Sequence, residues 1–284
     1  MARYAFRIVN VFAETPLAGN PLAVFEDARG LDDATMQALA LQFNLSETTF
    51  VFPSSAATAR VRIFTPTFEM PFAGHPTLGT AHVVRALGHA GDAITLEMRA
   101  GVIPVRASGD VWTLTANAPR TRAVAASRAE LAAMLGLEPA DLGADALWVD
   151  TGSEQLVIPI ATAEAVHRAA PRAEMIARHA SITLPGGAAR AMAYLWAEES
   201  RERVLARFFF LKHGALTEDP GTGSACANLG GWIVATGAAR PRTLTIDQGQ
   251  AVGRRCRLHL AVDDAGAISV GGRVVELGRG AIEL

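Results

Sequence analysis

The segment SETTFVFPSSAATARVRIFTP, residues 46–66, lies over AMAYLWAEESRERVLARFFFL, residues 191–211, without a gap, so that Phe50 meets Leu195 and Arg62 meets Arg207. Each copy is a β-branched or aromatic run, a polar turn and a second such run, which is the pattern of a β-hairpin. A duplication constrains the fold more than any single motif, because each half must then repeat one supersecondary plan. After each hairpin comes a loop rich in Gly, Pro and Thr and then a helical stretch: PFAGHPTLGTAHVVRALG in the first half and EDPGTGSACANLGGWIVATG in the second. In the first helix Pro76 is read as the first helical residue, Leu78, Ala81 and Val83 or Val84 as the apolar stripe, and Gly88 as the stop. In the second, Ala225, Leu229, Trp232 and Ile233 make the stripe and Gly237 ends it. Upstream, IVNVFAETPLAGNPLAVF and LWVDTGSEQLVIPI both read strand, turn, strand, each followed by an amphipathic helical stretch, near 32–43 and 163–179.

Two α+β domains follow, residues 1–118 and 119–270, with a linking helix at SRAELAAMLG whose Ser127 and Glu130 form a capping box. The last segment, AISVGGRVVELGRGAIEL, alternates like an edge hairpin and is expected to return to the first domain, completing it with residues 271–284. With 284 residues, half of them hydrophobic, the chain is long enough for two well-buried cores. The net charge is −2 with signs interspersed, which argues against a nucleic-acid partner. Only Cys226 and Cys256 occur, outside any metal-binding or disulfide spacing, so no metal site is expected and a reducing cytoplasm fits best. MARYAFRIVNVF reads as a strand rather than a signal peptide. The uncharged stretch 220–239 is too rich in glycine and alanine for a membrane span, so no membrane association is expected.

The chemistry points to the two glycine-rich loops. A helix start leaves backbone N–H groups unpartnered and carries positive potential, so it attracts anions such as a substrate carboxylate. Known nucleotide loops do not match, since Cys226 stands where a dinucleotide fingerprint needs glycine. His75 sits beside Gly74, and Asp219 is read at the matching mouth of the second loop with Ser224 near the helix cap. Glu47, in LSETTFV, is the third candidate. Each has an ordinary role available: Asp and Ser as helix caps, His as a packed side chain, Glu as an exposed carboxylate at a strand start.

The ordered set AGNPLAVF, LSETTFV, FTPTFEMPFAGHPTLGTA and EDPGTGSACANLGGW, spread over nearly the whole chain, resembles the PhzF-type isomerases of phenazine biosynthesis, which share the diaminopimelate epimerase fold. The resemblance implies two similar pseudo-twofold-related domains, each a mixed, barrel-like β-sheet around a central helix, with the active site in the cleft between them. It implies an acid/base role for Glu47, with His75 and Asp219 as partners, and places Asn20, Ser46, Gly74, Gly223 and Ser224 on the substrate. It implies proton transfer between carbons without metal or organic cofactor, and a homodimer. The epimerase cousins carry a cysteine at each loop, where this chain is read with Ala73 and Asp219, so a two-thiol racemase is disfavoured. A one-base epimerase and a non-catalytic small-anion-binding protein stay open as alternatives.

Overall fold

The computed structural model describes residues 1–184 and 187–284. In the first half the chain forms β1 (Arg3–Val11), β2 (Asn20–Phe25), α1 (Asp33–Phe43), β3 (Glu47–Phe52), β4 (Ala59–Phe64), β5 (Glu69–Met70), α2 (Gly74–Ala86), β6 (Ala93–Met98), β7 (Gly101–Ser108) and β8 (Val111–Thr115). The second half begins with β9 (Arg120–Ala123), α3 (Arg128–Leu135), β10 (Leu147–Asp150), β11 (Gln155–Pro159), α4 (Ala163–Arg168), α5 (Ala173–His179) and β12 (Ser181–Thr183). It ends with β13 (Ala189–Ser200), β14 (Arg203–Lys212), β15 (Ala215–Asp219), α6 (Gly223–Ala235), β16 (Arg242–Gln248), β17 (Cys256–Val262) and β18 (Ile268–Glu283). These elements cluster into two compact units, Met1–Thr115 with Gly271–Leu284, and Ala116–Val270.

In the first unit β1, β2, β3, β4, β6, β7, β8 and β18 pair in that order and β18 returns to β1, which closes a mixed barrel. The β2–β3 and β4–β6 pairs are parallel. Helix α2 packs against seven of these strands and is buried on nearly every side from His75 to Val84. A wrapped helix has no polar face, so the stripe read from sequence understates its burial. Its small residues permit this: a Cβ on Gly79 would lie 2.7 Å from Leu22 Cδ2 and 2.9 Å from Val11 Cγ2. The strands alternate accordingly. Thr49 turns inward, its hydroxyl 2.8 Å from that of Thr80 on α2. Phe50 turns outward to a layer with Phe25, Phe64 and Met36 and Leu39 of α1, stacked on Phe25 at 4.9 Å.

The second unit repeats the plan. Strands β9, β10, β11, β13, β14, β16 and β17 pair in that order, again with two parallel pairs, β11–β13 and β14–β16. Phe50 is paired with Arg62 in one unit and Leu195 with Arg207 in the other, so the gapless superposition of the hairpins holds residue for residue. Each of these arginines holds a glutamate on the following short strand in a two-pronged ion pair, Arg62 with Glu69 and Arg207 with Glu218.

Three local readings change. Helix α2 starts at Gly74, so Pro76 is its third residue; this is tolerated because the first N–H groups of a helix have no internal partner. The stretch 163–179 breaks into α4 and α5 around Pro171, which cannot continue a helix. The last segment is one 16-residue strand paired on both sides, to β1 and to β8, rather than an edge hairpin. Its Gly271 serves close strand approach instead of a turn: a Cβ there would lie 2.5 Å from the Trp112 carbonyl oxygen. Among the described residues no helix is long and apolar enough to cross a membrane.

Candidate active site

Glu47 is the first residue of β3, register partner of Leu22 on β2, and His75 is the second residue of α2. The barrel brings them together: His75 Nε2 lies 3.2 Å from Glu47 Oε2, with side chains 8% and 15% exposed. This distance would suit an ion pair, yet the imidazole is buried and desolvation drives its pKa down to about 3, so the ring is neutral. The opposing pull comes from the backbone of Pro21, which has only a carbonyl to offer. A ring N–H therefore donates to Pro21. Since Nε2 faces Glu47 and makes no hydrogen bond in this geometry, that donor is Nδ1, which leaves a lone pair on Nε2.

Asn20 opens β2, fully buried, next to Pro21 and two residues before the register partner of Glu47. Ser46 is exposed immediately before β3, and Gly74 is the half-buried first residue of α2. The N-cap of α2 is Ala73, which has no side-chain oxygen, whereas α1, α3 and α4 are capped by Asp32, Ser127 and Thr162. The N–H groups opening α2 thus have no side-chain cap.

In the second unit Asp219 ends β15 and α6 begins at Gly223 with Thr222 as N-cap. Neither Asp219 nor Ser224 acts as the cap. The Thr222 hydroxyl donates to the Asp219 carboxylate instead of capping the helix, and Gln248 Nε2 donates to the Asp219 carbonyl oxygen at 2.9 Å and to Thr222 Oγ1 at 3.0 Å. Ser224 Oγ accepts from Gln155 Nε2 at 2.9 Å, and Gln155 Oε1 accepts from the buried Asn228 of α6 at 2.8 Å. Gln155, Gln248, Thr222 and Asn228 were not among the residues singled out from sequence. Asn228 alone gave a signal, because an amide inside an apolar helix stripe requires partners.

The repeated pairing also corrects one sequence equivalence. Ile63 pairs with Met70 and Phe208 with Asp219 at corresponding places, and α2 and α6 are both 13-residue helices starting at Gly74 and Gly223. The counterpart of Ala73 is therefore Thr222, that of His75 is Ser224, and that of Asp219 is Met70. Glu47 corresponds to the buried Met192. The gapless alignment of the hairpins does not continue into the following loops, whose low identity hid this offset. Neither N-cap is a thiol, and burial pushes the thiol of Cys226, inside α6, well above its usual range, so it stays protonated.

Residues 9–280 match the family model described as phenazine biosynthesis-like protein. The chain belongs to the PhzC/PhzF family. Within it, the chain is 39% identical to an uncharacterized isomerase of Pasteurella multocida over 98% of this chain and 93% of that one. It is 33% identical to the trans-2,3-dihydro-3-hydroxyanthranilate isomerase of Pseudomonas fluorescens over 98% of each chain. A PhzF-family protein of Bacillus anthracis shares the fold, with a TM-score of 0.86 at 24% identity and full coverage of both chains. The fold is the α+β, diaminopimelate epimerase-like one, and this PhzF-family chain is an enzyme of the isomerase class.

The buried neutral His75 carries a pH prediction. Because its folded-state pKa is depressed, the unfolded chain binds the extra proton between about pH 6.5 and about 3, so stability falls as pH drops through that window. Wild type should lose about 1 kcal/mol per pH unit more than His75→Gln below pH 6, read by urea unfolding from pH 7 to pH 4. Equal slopes would mean that folded His75 takes up the proton.

Proposed function

We propose that the chain is a cofactor-independent isomerase that moves a proton from one carbon to another of a small carboxylate or amino-acid-like substrate, with Glu47 as the acid/base. The observation that carries this reading is the 3.2 Å contact between Glu47 and a neutral His75. The Glu47 carboxylate removes a proton from carbon and becomes a carboxylic acid; the same group returns that proton to a different carbon, so atoms and charge balance over the cycle. The Nε2 lone pair of His75 accepts a hydrogen bond only from the protonated carboxyl, and so stabilises the form that holds the proton in transit. The negative charge left on the substrate is met by the uncapped N–H groups at a helix start, with Gly74 and Gly223 allowing close approach.

Asp219, steadied by Thr222 and Gln248, and Ser224, steadied by Gln155, take substrate-orienting roles in this proposal; Asn20 and Ser46 flank the Glu47 end of the first barrel. The relative from Pseudomonas fluorescens suggests trans-2,3-dihydro-3-hydroxyanthranilate as the first substrate to try. The two buried free cysteines agree with a reducing, cytoplasmic compartment, and light scattering in solution tests the homodimer.

The reaction is tested by turnover of that compound in deuterated water with product analysis by NMR. The proposal expects a constitutional isomer. Return of the same constitution with an inverted, deuterated centre would replace it with a one-base epimerase.

A further inference from the structure

Arg190, near the start of β13, is a cation with no anion of its own. Its Nη2 donates to Ser153 Oγ at 3.1 Å, while its Nε is buried without an acceptor among the described residues. Among the described residues no carboxylate lies within ion-pair distance of it. Asp150 attracts it at longer range only, and that carboxylate is engaged by Arg120 at 2.9 Å and by the Gly152 N–H at 2.8 Å. A half-buried guanidinium loses hydration that nothing nearby restores, which natural structures keep only where something else gains from it.

Its position says what gains. Side chains alternate along β13, so Arg190 shares a face with Met192 and Tyr194, and Tyr194 is buried beside Cys226 of α6. Arg190 therefore lies on the face turned to α6, at the end of the strand where that helix starts. A chain of contacts ties it there: Ser153 accepts from Arg190 through its hydroxyl and from Asn228 through its carbonyl at 2.8 Å, Asn228 donates to Gln155, and Gln155 donates to Ser224.

We infer that Arg190 is the specificity-determining cation of the second unit, reading the carboxylate of the substrate beside Ser224 and the start of α6. A guanidinium offers a planar fork that matches a carboxylate and stays charged at every working pH. The assignment rests on the proposal that the substrate carries a carboxylate, and it adds the residue that would distinguish that group from a neutral amide.

Calorimetric titration with anthranilate and with anthranilamide, its neutral isostere, tests this in wild type, Arg190→Met and Arg190→Lys. Wild type should prefer anthranilate, Arg190→Met should bind it at least tenfold more weakly with anthranilamide unchanged, and Arg190→Lys should fall between. Arg190→Met should keep or raise the melting temperature, because it removes an uncompensated charge; a purely structural arginine would lower it in both variants. Unchanged anthranilate affinity in Arg190→Met, or a wild type that does not distinguish the two probes, overturns the assignment. Failure of the proton-transfer reading shows separately, as turnover that survives Glu47→Gln.

Discussion

Glu47→Gln should lower proton-transfer turnover by about a thousandfold, the range general acid–base groups supply, while leaving ligand affinity within a few-fold of wild type. Glutamine fills the same space at the start of β3, and its amide N–H can donate to the Nε2 lone pair of His75, so the contact and the fold should survive. What disappears, in the proposed mechanism, is the group that takes a proton from carbon and gives it back. Product formation and solvent-deuterium incorporation, measured with bound-ligand calorimetry as the control, separate this from a binding defect. A variant with turnover within tenfold of wild type would remove Glu47 from the mechanism. If neither protein turns over any amino or hydroxy carboxylate while both bind one equally, the protein is a small-anion-binding member of its family.

The second large effect lies far from that chemistry. Gly271→Ala should cost about 3 kcal/mol, whereas Gly278→Ala in the same strand should cost well under about 1 kcal/mol. A methyl group at 271 would lie 2.5 Å from the Trp112 carbonyl oxygen and 2.6 Å from Thr113 Oγ1, and the β8 backbone that closes the barrel cannot yield without losing its pairing. At 278 nothing stands within 4 Å of the added carbon. Urea midpoints of the two variants give the comparison directly, since both add the same atoms to β18. Equal midpoints would mean that the β8–β18 seam relaxes freely.

These two positions also mark what the sequence reveals and what it hides. The hairpins were legible because Phe50 and Leu195, Arg62 and Arg207 occupy corresponding places in strands whose two faces differ, and a register slip would drive Phe50 into the space that Thr49 shares with Thr80 of α2. The helix ends were legible from Gly88 and Gly237, which take positive φ just past α2 and α6, and from the Ser127–Glu130 capping box. The two-sided pairing of β18 was not legible, because glycines that permit close approach look the same in sequence as glycines that turn the chain. The true counterpart of Asp219 was hidden for a related reason: Met70 and Asp219 share a strand position and nothing chemical. Gln155 and Gln248, which hold Ser224 and Asp219, carry no local signature, because their function is to meet partners distant in the chain. Arg190 reads in sequence as one more surface arginine; what sets it apart is a buried Nε with no acceptor among the described residues.

The same symmetry bears on mechanism. Had both carboxylates stood at corresponding places, a pair of opposed bases would have been the natural reading. Glu47 instead corresponds to Met192 and Asp219 to Met70, so the duplicated frame carries unlike groups in its two copies. This agrees with one acid/base acting alone.

Strand β18 joins the first barrel from the opposite end of the chain, with Arg3 paired to Glu283. During synthesis the first half emerges early yet lacks a wall until residues 271–284 have been made and have left the ribosome. The nascent β1 and β8 edges must wait unpaired for that time, while the residues of the second unit can assemble on their own contacts. Ribosome-stalled chains should therefore gain protease resistance in the later half before the earlier one.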